Sequence, residues 1–335
     1  MEKNIGVKYF EKEDARFATP KEIAEFRAKK LKCGRIVDLC CGIGAQTAEF
    51  SKTCKEVLGI ELNKRKAELA RQNCEAPNTK IIRGDVLSFD IIKQVKEFNP
   101  DIIFCDTERP ESEKERNIEN IKPNLKKLIN SYSKICPNIC IEIPPQIVFE
   151  KLSPLGNFEA EYLSYKNKLN RLELNFGDLI ESEKSAIDVS GVKLKKEEAK
   201  ISKTKKAGNY LYEVSGAVIK SELEPELARK LNAKILSKEN TRVLLTSEKL
   251  AENEYVSAFT NVYSILGVSS SEKEIKGILE KNNIGKVVLK KKVTPEEYWN
   301  ERKKYEAGLK GEKEVSLFSY GPEEEQELIV AELVN

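Results

Sequence analysis

The sequence predicts an α/β protein: a Rossmann-like sheet preceded by an N-terminal helix, then a β-rich middle region and a small C-terminal αβ sandwich. Five apolar runs in the first 150 residues read as buried strands separated by helical stretches, the pattern of a doubly wound parallel sheet. After about residue 150 the runs shorten and alternate, as hairpins do, and after about residue 250 strands and helices alternate again. A length of 335 residues suits two or three domains, placed by these changes at 1–152, 153–249 and 250–335.

In chain order, RFATPKEIAEFRAKKL at 16–31 reads as a loop and then a helix starting after Pro20, with Ile23, Phe26 and Leu31 near helical spacing. Such a helix closes a ligand pocket or simply covers a sheet edge. In the first case Thr19 and Pro20, with Phe17, would pack against one end of the ligand. The next stretch, IVDLCCGIGAQT at 36–47, runs from a buried strand through an acid into a glycine-bearing turn and a helix. Gly42 and Gly44 let the backbone turn and approach a ligand closely, and the helix near Ala45 offers unpaired amides. Asp38 sets the sign of that ligand. A pyrophosphate would be repelled by it, whereas the amine of S-adenosylmethionine, whose sulfonium is also positive, would be attracted. Cys40, Gln46 and Thr47 belong to the same candidate cofactor loop.

VLGIELN at 57–63 ends in Glu61, placed to accept hydrogen bonds from both hydroxyls of a ribose, with Leu62 beside it; NAD sites share that feature. KIIRGDVLSF at 80–89 carries Asp85 and apolar Val86, a pair suited to an adenine amino group and ring. PDIIFCDTERP at 100–110 ends where a substrate sits in such a sheet. Asp106 would take a hydrogen bond from an attacking amine and also border the cofactor. Arg109 would contact phosphate or stack on a base, or would pair with Glu108 or Glu111 at the surface. NICIEIPPQI at 138–147 adds a stiff Pro144-Pro145 turn followed by Gln146, a second loop able to shape the substrate pocket.

Downstream, EAEYLSY at 159–165 and KLNRLELNF at 168–176 form a hairpin about Lys166-Asn167, and KSAIDVS and NYLYEVS add strands. A helix is expected from about Ser221 to Leu231. From 250 onward the order is strand (AFTNVYSIL), helix (SEKEIKGILEKNN), strand (KVVLKKK), helix (TPEEYWNERKKY) and two strands (EVSLFSY, ELIVAEL).

Composition excludes several chemistries. The chain has no histidine, so acid–base work falls to carboxylates, lysines, tyrosines or backbone groups. Its eight cysteines all lie in the first half without zinc-site spacing, and read as reduced core thiols with no metal site. No apolar run approaches membrane-spanning length and nothing resembles a signal peptide, so a cytoplasmic protein with no membrane partner is expected. With 58 basic and 55 acidic residues the net charge of +3 does not mark a nucleic-acid protein. The runs at 193–206 and 286–292, the latter with Lys290, Lys291 and Lys292, would track a phosphate backbone or form the surface of a lysine- and glutamate-rich, heat-adapted protein.

The motifs RFATPKEIAEFRAKKL, VDLCCGIGAQT, GIELN, GDV, CDTERP, EIPPQ, EAEYLS, KLNRLELNFGD, SEKSA, LYEVSGAVIKSEL and LLTSEKL span nearly the whole chain. Together they resemble an archaeal class I methyltransferase that uses S-adenosylmethionine and carries a C-terminal THUMP-like domain of ferredoxin-like type. Its catalytic half is similar to RNA guanine amino-group methyltransferases of the trimethylguanosine-synthase type. The resemblance implies cofactor roles for Asp38, Gly42, Gly44, Glu61, Asp85 and Val86 and an acceptor-site role for Asp106. It departs from the pattern at Thr107, where relatives tend to carry proline. The function expected is methyl transfer to a base amine, guanine's 2-amino group above all, of tRNA or rRNA. Methylation of a protein or small molecule, and a non-catalytic RNA-associated factor, are the alternatives.

Overall fold

A computed structural model describes residues 6–8, 18–108, 117–200, 202–322 and 325–334 of the chain. Its contacts divide the protein into two units: 1–165 with 169–193, and 166–168 with 194–335.

The first unit is a nine-stranded sheet. Its parallel half comprises β1 (Arg35–Leu39), β2 (Glu56–Glu61), β3 (Thr79–Arg83), β4 (Ile102–Asp106) and β5 (Ile139–Ile143). These are the five apolar runs expected; β1, β2, β4 and β5 are buried along nearly their whole length because helices shield both faces of a parallel sheet, whereas the edge strand β3 is partly exposed. The helices are α1 (Lys21–Lys30), α2 (Ala45–Thr53), α3 (Lys64–Asn73), α4 (Phe89–Phe98) and α5 (Leu125–Tyr132). Asn63 and Ser88 cap α3 and α4 by accepting from the Lys66 and Ile91 amides, which fixes where those helices begin. Phe50 of α2 meets Phe104 of β4 edge to face at 5.6 Å, in a core that includes Ile36, Val57 and Cys140. None of the eight cysteines is in a disulfide, and six are buried.

The hairpin β6 (Glu159–Tyr165) and β7 (Lys168–Asn175) turns at Lys166 and Asn167, both at positive φ, and is followed by β8 (Lys184–Asp188) and β9 (Lys193–Lys195). The sheet order is β3-β2-β1-β4-β5-β7-β6-β8-β9. β7 pairs antiparallel with β5, Ile141 opposite Leu174. The separate middle domain expected at 153–249 is therefore divided. Its first strands extend the edge left by β5 and need no core of their own, a long-range pairing that local pattern does not reveal.

The second unit contains β10 (Tyr210–Val214), β11 (Lys234–Lys238), β12 (Val243–Ser247), β13 (Thr260–Ser269), β14 (Ile284–Lys290), β15 (Lys313–Tyr320) and β16 (Glu327–Leu333). They form one sheet in the order β11-β12-β10-β13-β16-β15-β14. β13 pairs with both β10 and β16, so residues 250–335 share their sheet with the strands before them instead of forming a separate sandwich. The helix expected at 221–231 is two, α6 (Gly216–Ser221) and α7 (Glu224–Lys230), broken where Glu222 takes φ 61 and Pro225 opens the second. Then come α8 (Glu254–Phe259), α9 (Glu272–Lys281) and α10 (Tyr298–Glu306). Ile275 and Leu279 of α9 pack on Val287, Leu317 and Val330. Among the described residues no helix is long and apolar enough to cross a membrane.

Candidate active site

The chain reverses its winding between β1 and β4, and the carboxyl ends of these strands open a crevice. A cavity of about 670 Å³ lies there, lined by Thr19, Asp38, Cys40, Gly42, Gln46, Asp106, Pro144, Pro145 and Gln146 among others. One space thus gathers the acid after β1, the acid after β4 and the proline turn after β5.

Asp38 is fully buried. Its Oδ2 accepts from the Thr47 hydroxyl at 2.5 Å, whereas Oδ1 has no hydrogen-bond partner. Burial pushes its pKa up to about 7 and Glu61 adds to the rise, against opposing effects of Thr47 and Arg27. A buried carboxylate oxygen without a partner is costly unless a ligand supplies the donor. Beside it Cys40 and Gly42 both take positive φ, and a Cβ built on Gly42 meets nothing within 4 Å, so the loop leaves open space in front of its backbone. Gly44 has a different task. At φ 84 it starts α2 with no side-chain cap, and a Cβ there would stand 2.8 Å from Cys74 Sγ and 3.1 Å from Ala70 Cα. Gly44→Ala is expected to cost about 2–4 kcal/mol in urea unfolding and Gly42→Ala only about 1–2 kcal/mol; equal costs would contradict this division.

Several expected cofactor residues lie outside the cavity lining. Thr47 is buried and reaches the site through Asp38. Pro20 starts α1, and Gly44 packs on α3. Glu61 ends β2, buried, with its carboxylate accepting from the Gly42 and Asn63 amides at 2.9 and 2.8 Å. Leu62 is exposed, as is Asp85, which accepts from the Leu87 amide. Val86 is buried and its carbonyl accepts from the Tyr132 hydroxyl at 2.6 Å. The Glu61 and Asp85 strand ends are neighbours, since Glu61 pairs with Arg83.

Asp106 pairs with Glu142 across β4 and β5. Burial pushes its pKa up to about 8, and the nearby Glu142 carboxylate adds to the rise. Thr107, standing where proline was expected, donates its hydroxyl to the Glu142 carbonyl at 2.7 Å and so anchors the loop that a proline would stiffen. Arg109 lies outside the described residues.

One fully buried charge, Arg27 of α1, was not anticipated. Its guanidinium is fully buried, 4.6 Å from the Phe104 ring centroid. It pairs with Glu142, with Glu173 at 2.7 Å, and donates to Gln46 at 2.8 Å. Burial alone would raise Glu173, but Lys30 and Arg27 overcome it and hold that carboxyl far below its usual range. Lys30 joins Glu173 to Glu161, and Lys193 joins Glu161 to Glu159. Arg171 closes the other end on Glu142 at 2.6 Å and lines the cavity with Asn170. Arg27 falls four residues after Ile23 and four before Leu31, on the buried face of its helix, and that spacing was the available signal.

In the second unit the contiguous lysines do not form one basic face. Lys290, the last residue of β14, pairs with Glu213 at 2.9 Å, and Lys291, in the bend that follows, with Glu301 at 2.6 Å.

A doubly wound sheet with an antiparallel β7, an acid near the end of β1 with one oxygen unpartnered and a second acid ending β4 defines a class I, S-adenosylmethionine-dependent methyltransferase. Residues 33–212, more than half of the chain, match the RNA cap guanine-N2 methyltransferase family, and the chain belongs to it. It is similar to an uncharacterised S-adenosylmethionine-dependent methyltransferase of two Mycobacterium tuberculosis strains, 25% identical over 228 residues, 66% of this chain and 62% of the relative. The chain therefore spans less than two thirds of those relatives' length. An uncharacterised RNA methyltransferase of Clostridium tetani is 37% identical over 82 residues, 24% of this chain and 17% of that one. A solved candidate methyltransferase from Porphyromonas gingivalis W83 has the same fold, with TM-score 0.77 and 18% identity over 96% of this chain and 82% of that one.

Proposed function

We propose that this chain transfers methyl from S-adenosylmethionine to a base amine of RNA, the 2-amino group of a guanine in tRNA or rRNA, in an archaeal cytoplasm. The observation that carries the reading is the convergence of Asp38, Asp106 and the Pro144-Pro145 turn on one cavity. The family description and the RNA methyltransferase relatives support the substrate class.

The residues fit the cofactor, since Asp38 Oδ1 lacks a donor and the backbone at Gly42 leaves space before it. Asp38 would hold the methionine amine, Glu61 the ribose, and Asp85 with Val86 the adenine, with Leu62 covering the ring. Bound there, S-adenosylmethionine supplies an electrophilic methyl group. Asp106 orients the acceptor amine by accepting a hydrogen bond and, in its ionised form, takes the proton late; its raised pKa makes that form a stronger base, and its share grows as pH rises toward about 8. The Pro144-Pro145 turn and Gln146 wall the acceptor, Arg109 contacts the nucleotide, and a flipped base enters between these loops. The second unit is proposed to be a THUMP-like module that delivers the RNA through its lysines, Lys292 included. Asp106→Asn is expected to lower turnover about 100-fold or more while leaving cofactor affinity unchanged, measured by labelled methyl transfer and by calorimetry. Unchanged turnover would remove Asp106 from the mechanism.

A further inference from the structure

We infer that Asn170 and Arg171, at the start of β7, read the Watson–Crick edge of the acceptor base and select guanine; this rests on the reading above. Both line the cavity that holds Asp106 and the proline turn. Asn170 Oδ1 is buried with no hydrogen-bond partner. Arg171 is held beside Glu142 by an ion pair, Nε standing 2.6 Å from the carboxylate without hydrogen-bond geometry, and one terminal nitrogen makes only a 3.4 Å contact with the Asn170 carbonyl. A guanidinium has five donors, so Arg171 is positioned with donors to spare.

Strand register places these groups. Asp106 lies opposite Glu142 on one side of β5, and Leu172 lies opposite Ile143 on the other, so Arg171 stands beside the Pro144-Pro145 turn. Adjacent strands are about 4.8 Å apart, so β4 and β7 flank β5 about 10 Å apart, and the cavity that takes the base lies past the end of β5 at the Pro144-Pro145 turn. Guanine presents in sequence an N2–H donor, an N1–H donor and the O6 acceptor. Asp106, Asn170 Oδ1 and Arg171 present an acceptor, an acceptor and a donor. Adenine and cytosine instead set a ring acceptor nitrogen beside the exocyclic amine, lone pair against the Asn170 oxygen, and a site that leaves buried polar groups unpaired rejects such a ligand.

The test is equilibrium binding of GMP, AMP and 2-aminopurine riboside monophosphate to the full chain saturated with S-adenosylhomocysteine, with Asn170→Ala and Arg171→Lys beside wild type. 2-Aminopurine keeps the 2-amino group but lacks N1–H and O6. Wild type is expected to favour GMP over both by at least about tenfold; each variant should lose about tenfold for GMP and nothing for 2-aminopurine, with S-adenosylhomocysteine affinity unchanged as the control for folding. Equal binding of GMP and 2-aminopurine by wild type, or variants that weaken both alike, overturns the inference. Methylguanosine formed at the wild-type rate by Asn170→Ala also overturns it and leaves methyl transfer standing. GMP selectivity without any methylated nucleoside keeps base recognition and removes methyl transfer.

Discussion

Arg27→Ala is expected to destabilise the first unit by about 3–5 kcal/mol, because it takes a shared buried cation away from the buried carboxylates of Glu142 and Glu173. A charge pair taken out of water gains little over a well-packed apolar pair, but half of such a pair is far worse than either. Lys30 and Arg171 would remain on those carboxylates and soften the loss toward the lower figure. The effect should appear as a lowered denaturation midpoint, and also as weakened cofactor binding, since Arg27 holds Gln46 in the cavity wall. Arg27→Lys keeps the charge but not the fork that spans Glu142, Glu173 and Gln46, and should recover part of the stability. An Arg27→Ala protein as stable as wild type would show that the network contributes nothing net.

Asp38→Asn is expected to separate binding from stability. It should weaken S-adenosylmethionine by about 10–100-fold, the worth of a charge-assisted hydrogen bond of about 1.5–3 kcal/mol, while leaving the ligand-free protein as stable as before or more so. The pKa explains the second half. A carboxyl whose folded pKa is raised to about 7 binds its proton more tightly folded than unfolded. Its contribution to stability is therefore full below about pH 4 and is lost as pH rises toward about 7, so the ionised form is a burden the ligand-free fold carries. The same shift predicts tighter binding of the cationic amine at pH 7.5 than at pH 6 in wild type, and no such gain in Asp38→Asn. Calorimetric titrations at both pH values check this; equal affinities of the two proteins would remove Asp38 from the cofactor site.

Much of this architecture was legible because parallel strands buried on both faces leave long apolar runs, and the acids that end them mark the functional edge of the sheet. The Lys166-Asn167 turn was legible too, since asparagine tolerates the positive φ it adopts there. What escaped were relations between distant segments. Nothing local in KLNRLELNF says that it pairs with β5, and so nothing marked Asn170 and Arg171 as cavity residues. Strands β11 and β12 went unassigned, and the pairing of β13 with β10 hid the unity of the second sheet. Lysines counted along the chain looked like one basic patch, while the strand ends at Lys290 and the bend after it takes Lys291 to a different glutamate. Arg27 sat in plain view at helical spacing, but a charged residue on an apolar face is read as solvent-exposed until its buried partners on other strands are known.

Methyl transfer to a guanine amine can be read out with labelled S-adenosylmethionine and unmodified RNA. Wild type and Asp38→Ala are incubated in parallel with tRNA and rRNA transcripts, and the RNA is digested to nucleosides. Label is expected in N2-methylguanosine from wild type and is lost in the variant. Label in another nucleoside would contradict the guanine assignment. No labelled nucleoside at all, from a chain that binds S-adenosylmethionine, would contradict RNA methylation itself.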